Sequence, residues 1–99
     1  MIQITVRRKE RGWELSMEGH AGYCGGQDIV CAAASMLFFA LAGRLRELGM
    51  EEYVERCRSG EARVFVPDGL SDGFRVILCG FRMLEEKYPE NVWVEGNGR

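Results

Sequence analysis

The sequence lacks a basic block and a long apolar run, and each absence excludes a class of partner. Its 13 lysine and arginine residues stand against 15 acidic ones, which leaves a formal net charge of -2. Binding to nucleic acid through phosphate neutralisation needs clustered positive charge, so we expect no nucleic-acid partner. The longest apolar run, residues 29–42, is shorter than a bilayer span of about 20 residues. The N-terminal segment MIQITVRRKERGW has no apolar region of the signal-peptide type after its first basic residues. We therefore expect a cytoplasmic protein without a membrane partner.

Histidine is scarce and the cysteines are not arranged in a CxxC pair. The chain has one histidine, His20, and 4 cysteines. Because cytoplasmic thiols stay reduced, we do not expect a disulfide framework, and any site that combines cysteine with histidine must use His20. Cys57 falls in a weakly patterned strand and Cys79 in a helix, and we expect neither to have polar neighbours. We interpret both as structural residues without a role in a site.

Hydrophobic residues make up 46% of the 99 residues, which is enough for a modest core in one small domain covering residues 1–99. Alternating apolar residues predict a hairpin from segments 2–8 and 13–19. A second hairpin is predicted from segments 51–58 and 62–67, the first of them only weakly patterned. A short last strand is predicted around Val92 and Val94.

Two stretches have the spacing of helices. Asp28 is a good N-cap for a helix over about 28–48, and Gly49 suits the position just after it. A second helix is predicted from Ser71 or Asp72 up to Pro89. The first helix is apolar on nearly every side, so a second helix or a dimer interface has to cover part of it. The predicted fold is a two-layer α+β domain, with two helices packed on a largely antiparallel sheet of two hairpins plus a C-terminal strand.

The most informative segment, GHAGYCGGQDIVCAAAS, joins the first hairpin to the first helix. With Asp28 as N-cap, Cys31 is the third residue of the helix, where the helix dipole favours a thiolate and the Asp28 carboxylate can accept from the Cys31 backbone N–H. A ten-residue loop lets His20 return over this helix end. Gly22, Gly25 and Gly26 make that loop flexible and allow a peptide to approach it closely.

This segment resembles the signature of the ribosomal-processing cysteine protease (Prp) family, in Gly19-His20-Ala21 and in Asp28-Ile29-Val30-Cys31-Ala32-Ala33 with Ser35. The resemblance implies a cytoplasmic, homodimeric thiol protease that needs no cofactor or metal. It further implies that the substrate is the N-terminal extension of large-subunit ribosomal protein twenty-seven. Within that resemblance His20 is the general base and Cys31 the nucleophile.

Supporting roles are expected for two further residues. Asp28 either caps the helix or orients His20, and we favour the cap. Ser35 lies one helical turn after Cys31 on the same face, where its hydroxyl can bond within the site or back to the Cys31 carbonyl. We expect the N–H groups of the first helical turn, including that of Cys31, to stabilise the oxyanion.

Two alternatives belong to other functional classes. His20, Cys24 and Cys31 are three potential zinc ligands, although their spacing fits no common zinc motif. In the second alternative the chain is a non-catalytic, ribosome-associated dimer and the motif only constrains the fold. Cys24 departs from the family pattern, and an oxidative pairing of Cys24 with Cys31 is a hypothesis of lower weight.

Overall fold

Strands and helices alternate in an order that brings both ends of the chain into one sheet. The computed structural model describes residues 1–20, 22, 28–58 and 60–96. Short 3-10 helices at Glu51–Tyr53 and Asp68–Leu70 precede β3 and α2. The main elements are β1 (Ile2–Lys9), β2 (Gly12–Glu18), α1 (Ile29–Glu47), β3 (Val54–Arg58), β4 (Glu61–Pro67), α2 (Ser71–Lys87) and β5 (Val92–Gly96).

The strands form one sheet in the order β3-β4-β2-β1-β5. The pairs β1/β2, β2/β4 and β3/β4 are antiparallel, whereas β1 and β5 are parallel. Both helices cover the same face, on which the inward residues of β1 and β4 alternate with exposed or half-buried ones. The predicted α+β class and its largely antiparallel sheet are confirmed, and the one parallel pair makes the sheet mixed.

Helix α1 lies along the core. Asp28 is its N-cap, and Gly49, with φ of 72°, follows its last turn in the left-handed conformation that favours glycine. The buried residues recur at helical spacing and are Val30, Ala34, Phe38, Leu41, Ala42 and Leu45. Each large apolar side chain buried in this way contributes about 1.5–3 kcal/mol.

The same helix is also long and apolar enough to cross a membrane, judged by length and composition within the described part of the chain. The apolar run over residues 29–42 is shorter than the helix itself, because the helix continues through polar residues to Glu47. A buried core helix meets the same criterion, and α1 faces the sheet and α2 with one side.

Helix α2 is amphipathic and packs beside α1. Phe74, Leu78 and Phe81 are buried at spacings of four and three residues. The Phe74 ring stacks on Trp13 with centroids 5.6 Å apart, which ties the helix to β2. Near its other end, the Glu85 carboxylate accepts a hydrogen bond of 2.8 Å from the Val94 amide of β5.

The second hairpin begins later than predicted. Residues Glu51–Tyr53 form a 3-10 helix, and the strand starts only at Val54. The Met50 amide donates to the Leu45 carbonyl at 2.8 Å, and the Tyr53 ring meets Phe65 edge-on at 5.3 Å. The Tyr53 amide donates to the Met50 carbonyl at 3.0 Å, which closes a 3-10 turn where a strand would need extended backbone. The prediction of a strand over 51–53 is therefore wrong.

Candidate active site

One end of the sheet and the first half of α1 enclose a cavity of about 260 Å³. His20, Cys31 and Ser35 all line it. Most of its remaining wall is apolar and includes Ile2, Met17, Phe38, Phe39 and Ala62. The structure thus brings the predicted base, the predicted nucleophile and the supporting serine to one concave surface.

Cys31 is held at the start of α1 by the capping interaction. The Asp28 Oδ1 atom accepts a hydrogen bond of 2.9 Å from the Cys31 amide, and the Asp28 carbonyl accepts one of 3.1 Å from the Ala32 amide. Cys31 is half-buried in the first turn, where aligned peptide dipoles present partial positive charge. The structure shows the capping role of Asp28, the one that we favoured.

This cap changes the expectation for the oxyanion donors. The Cys31 amide, counted among them from the sequence, is already engaged by the Asp28 carboxylate. A donor committed to an anionic acceptor is not available to a second one without breaking that bond. Ile29 and Val30, the first two residues of α1, carry the other amides of the first turn.

His20 lies two residues after the end of β2 and is exposed at the cavity. The residue before it is fixed by its surroundings. The Gly19 amide donates to the Gly60 carbonyl at 2.9 Å, and Gly19 has φ of 91°. A side chain at Gly19 would stand 2.4 Å from the Met1 carbonyl oxygen, so only glycine fits between these two backbone segments. The backbone that leads into His20 is therefore held in place by its contacts with Gly60 and Met1.

Ser35 lies four residues after Cys31 in α1, and both side chains reach the cavity. This agrees with the predicted shared helix face. Gly22 has φ of 67°, and no described residue lies within 4 Å of the position of a side chain there. Gly25 and Gly26, the other two loop residues singled out from the sequence, lie outside the described residues, as does Cys24.

The zinc alternative depends on that undescribed cysteine. Within residues 1–20, 22, 28–58 and 60–96, no group of three or more histidine, cysteine, aspartate or glutamate residues is placed to hold a metal ion.

Sequence reasoning named none of the apolar wall residues as part of the site, and it also missed Cys57, Arg58 and Gly60. Cys57 is exposed between Arg56 and Arg58, so the interpretation that it has no polar neighbours is wrong. Cys79 is likewise exposed rather than packed in the core. These residues reach the site because β4 pairs with β2, which places the end of β3 beside His20. Local pattern carries no signal for that pairing.

Comparison with known proteins identifies the family. The family model described as cysteine protease Prp matches residues 1–93 of the chain. The chain belongs to the Prp family. It is accordingly a cysteine protease, and the resemblance seen in the motif is confirmed. No curated protein gives a significant match to the sequence.

Solved structures share the Prp fold. The essential ribosomal processing protease Prp from S. aureus, in complex with a covalently linked product peptide, superposes with a TM-score of 0.76 at 23% identity, over 96% of this chain and 98% of that one. The same protease with a substrate peptide gives a TM-score of 0.72 at 23% identity and the same coverage. SMU.848 from Streptococcus mutans gives 0.69 at 27% identity, over 96% of this chain and 92% of that one.

Proposed function

We propose that the chain removes the N-terminal extension of large-subunit ribosomal protein twenty-seven, with Cys31 as nucleophile and His20 as general base. The observation that supports this most is the shared cavity, in which the only histidine of the sequence and the first-turn cysteine of α1 line one wall. The S. aureus Prp structures, which hold a product and a substrate peptide, support a peptide as the ligand of this cavity.

In the proposed reaction His20 takes the proton of the Cys31 thiol, and the thiolate attacks the scissile carbonyl carbon. The imidazolium then protonates the departing amine as the carbon–nitrogen bond breaks, leaving a thioester on Cys31. His20 then deprotonates a water molecule, which attacks the thioester carbon. The carbon–sulfur bond breaks, the acid product is released, and Cys31 is left as a thiolate beside the imidazolium. We assign stabilisation of the oxyanion to the first-turn amides of Ile29 and Val30, because the Cys31 amide is held by Asp28.

The cavity walls favour a substrate with apolar side chains near the cleaved bond. The half-buried Met17 and the half-exposed Phe39 present apolar surface in the cavity that Cys31 lines. An apolar pocket with few polar groups is typical of sites that hold a hydrophobic side chain and orient it through backbone contacts.

The test is cleavage of a peptide that copies the extension in the host protein, with the products identified by mass spectrometry. We expect the unmodified enzyme to cut at one bond with a chelator present, and Cys31→Ala and His20→Ala to lose at least about 100-fold in kcat/KM. Cys79→Ala, which removes an exposed thiol that does not line the cavity, is the matched control and should retain activity. Activity that survives Cys31→Ala, or is lost with chelator, would contradict the proposal in favour of another nucleophile or of zinc.

We also propose that the enzyme is a homodimer that uses the helical face. Met36 and Phe39 of α1 are 65% and 50% exposed, and Met83 of α2 is 64% exposed. Met36 and Met83 border an apolar groove between the helices, and such a patch is typical of an association surface. Sedimentation should show a dimer that Met36→Glu dissociates. Gln3→Glu, a change at an exposed position of β1 away from the helices, should leave the dimer intact. If the unmodified protein sediments as a monomer, the dimer is ruled out.

One cytoplasmic domain spanning residues 1–99 is proposed to carry the activity. The match of the family model to residues 1–93 supports a single catalytic unit, and a ribosomal protein as substrate supports the cytoplasm as its location. Cell fractionation followed by the peptide assay should recover the activity in the soluble cytoplasmic fraction. Recovery with the membranes would contradict this location.

A further inference from the structure

Gly60 lies just before β4, with φ of 78°, and the ring of His20 stands beside it on the side where any other residue would carry its side chain. A methyl group built on Gly60 would stand 3.1 Å from His20 Nε2 and 3.5 Å from Cε1. The first distance is shorter than ordinary van der Waals contact, so the ring occupies space that any other residue at position 60 would fill. The two residues are 40 positions apart in the chain, and the β2/β4 pairing brings them together.

A second interaction ties the same two segments together. The Gly60 carbonyl accepts the hydrogen bond of 2.9 Å from the amide of Gly19, the residue before His20. Gly60 therefore fixes the backbone from which the His20 side chain starts and also bounds one side of its imidazole. An exposed histidine at the end of a strand would otherwise lose rotamer entropy each time that it aligned with a nucleophile.

We propose that Gly60 is a positioning residue for His20, keeping the imidazole in the orientation that serves Cys31. This inference rests on the proposed function, in which His20 is the general base. Two features of the structure favour glycine at position 60. Its backbone is left-handed, and the His20 ring occupies the space that a side chain would need. Gly49 distinguishes the two, because its φ is also left-handed, at 72°, but within the part of the chain that the structure describes no atom lies within 4 Å of a methyl group there.

The pair Gly60→Ala and Gly49→Ala is therefore a matched test. Both place a methyl group on a left-handed backbone, and both should lower the melting temperature by about 5 °C. Gly49 follows the far end of α1, a helix of 19 residues and about 28 Å in length, well away from the cavity. Gly60→Ala alone has to push the imidazole aside by a few tenths of an ångström.

Since a misplacement of 1 Å can cost about 100-fold, we expect Gly60→Ala to lower kcat about tenfold with KM nearly unchanged, and Gly49→Ala to keep kcat within about twofold. His20 is the only histidine, so its ring signals are unambiguous in a proton–carbon NMR spectrum. They should move in Gly60→Ala and stay in place in Gly49→Ala. Equal kcat values for the two variants, or unmoved His20 signals in Gly60→Ala, would overturn the proposal.

Two further measurements keep the test decisive where Gly60→Ala fails to fold. Gly60→Asn tolerates the left-handed backbone better than alanine but is bulkier, so it should fold and still lower kcat and displace the His20 signals. In the unmodified protein, a nuclear Overhauser cross-peak should join a Gly60 α-proton to the His20 ring, and its absence would overturn the proposal. Because the NMR readouts need no substrate, loss of the proposed protease function and loss of the Gly60 contact remain distinguishable.

Discussion

At the scale of single residues, Asp28 links the start of a helix to the chemistry of the site. Its carboxylate satisfies the Cys31 amide, and this bond fixes where α1 begins and where the Cys31 thiol enters the cavity. A capping residue contributes about 0.5–2 kcal/mol, and here the geometry of the nucleophile depends on the same bond. The stability of α1 and the reactivity of Cys31 are therefore coupled through one side chain.

Substitution of Asp28 separates capping from an electrostatic role toward His20. Asparagine caps helices about as well as aspartate, whereas alanine does not. We expect Asp28→Ala to lower the free energy of unfolding in urea by about 1 kcal/mol and to reduce kcat, and Asp28→Asn to keep both within about 0.5 kcal/mol and threefold. A large loss of kcat in Asp28→Asn at unchanged stability would show instead that the negative charge acts on His20.

Whether a residue of this site could be predicted from the sequence depends on how far away in the chain its interaction partners lie. Asp28, Cys31 and Ser35 were predictable because capping and the helical repeat act over three or four residues. Gly60 and Cys57 were not, because they reach the cavity through strand pairing that joins distant segments. The catalytic roles of His20 and Cys31 came from resemblance to the family and remain predictions.

At the scale of elements, the contact between the two helices depends on a glycine. A methyl group on Gly80 of α2 would stand 2.7 Å from Leu37 Cδ2 of α1, which is too close unless Leu37 moves. Gly43, inside α1, has nothing within 4 Å of the equivalent position. The helices approach each other where Gly80 leaves room for the Leu37 side chain.

Alanine at these two glycines should have different effects on stability. Helix propensity alone favours alanine over glycine by about 0.5–1 kcal/mol, so Gly43→Ala should stabilise the protein by about that amount in urea denaturation. Gly80→Ala should be neutral or destabilising, since displacement of Leu37 offsets the gain. In a Leu37→Ala background the Gly80→Ala change should become favourable. Equal stabilisation by both single changes would contradict the close helix contact.

The helices and the first hairpin followed from periodicity, because α2 buries residues at helical spacing and β1 alternates. The 3-10 helix at Glu51–Tyr53 could not be read in this way, since its turn is closed by a hydrogen bond from the Tyr53 amide to the Met50 carbonyl and has no apolar repeat that would reveal it. The parallel pairing of β5 with β1 was not predictable either. A short alternating segment predicts a strand but contains no information about its neighbour.

At the scale of the whole molecule, one ion pair connects the first hairpin to the start of α2. Arg8 donates to both carboxylate oxygens of Asp68, one at 3.0 Å, and its guanidinium lies 4.8 Å from the centroid of the Trp13 ring. The Ser71 hydroxyl donates to the Asp68 carbonyl at 2.7 Å. The hydrogen bond with Arg8 holds the pKa of the Asp68 carboxyl below its ordinary value of 3.8.

This ion pair predicts a pH dependence of stability. Because the folded pKa of Asp68 is lowered, its contribution is present above the unfolded pKa and is lost as pH falls through the folded value. The melting temperature of the unmodified protein should exceed that of Asp68→Asn at pH 7, and the difference should shrink below about pH 4. The effect is small because the groups are exposed and screened. A difference that stays constant from pH 7 to about pH 2 would contradict the assignment.

The central claim is that Cys31 is the nucleophile activated by His20, and covalent labelling tests it most directly. An apolar peptide chloromethyl ketone should alkylate one thiol with loss of chloride, and mass spectrometry of the digested protein identifies which of the 4 cysteines carries it. We predict label on Cys31 alone, slowed at least about tenfold by His20→Ala. Label on Cys57 or Cys24 in place of Cys31, or a rate that does not depend on His20, would contradict the account.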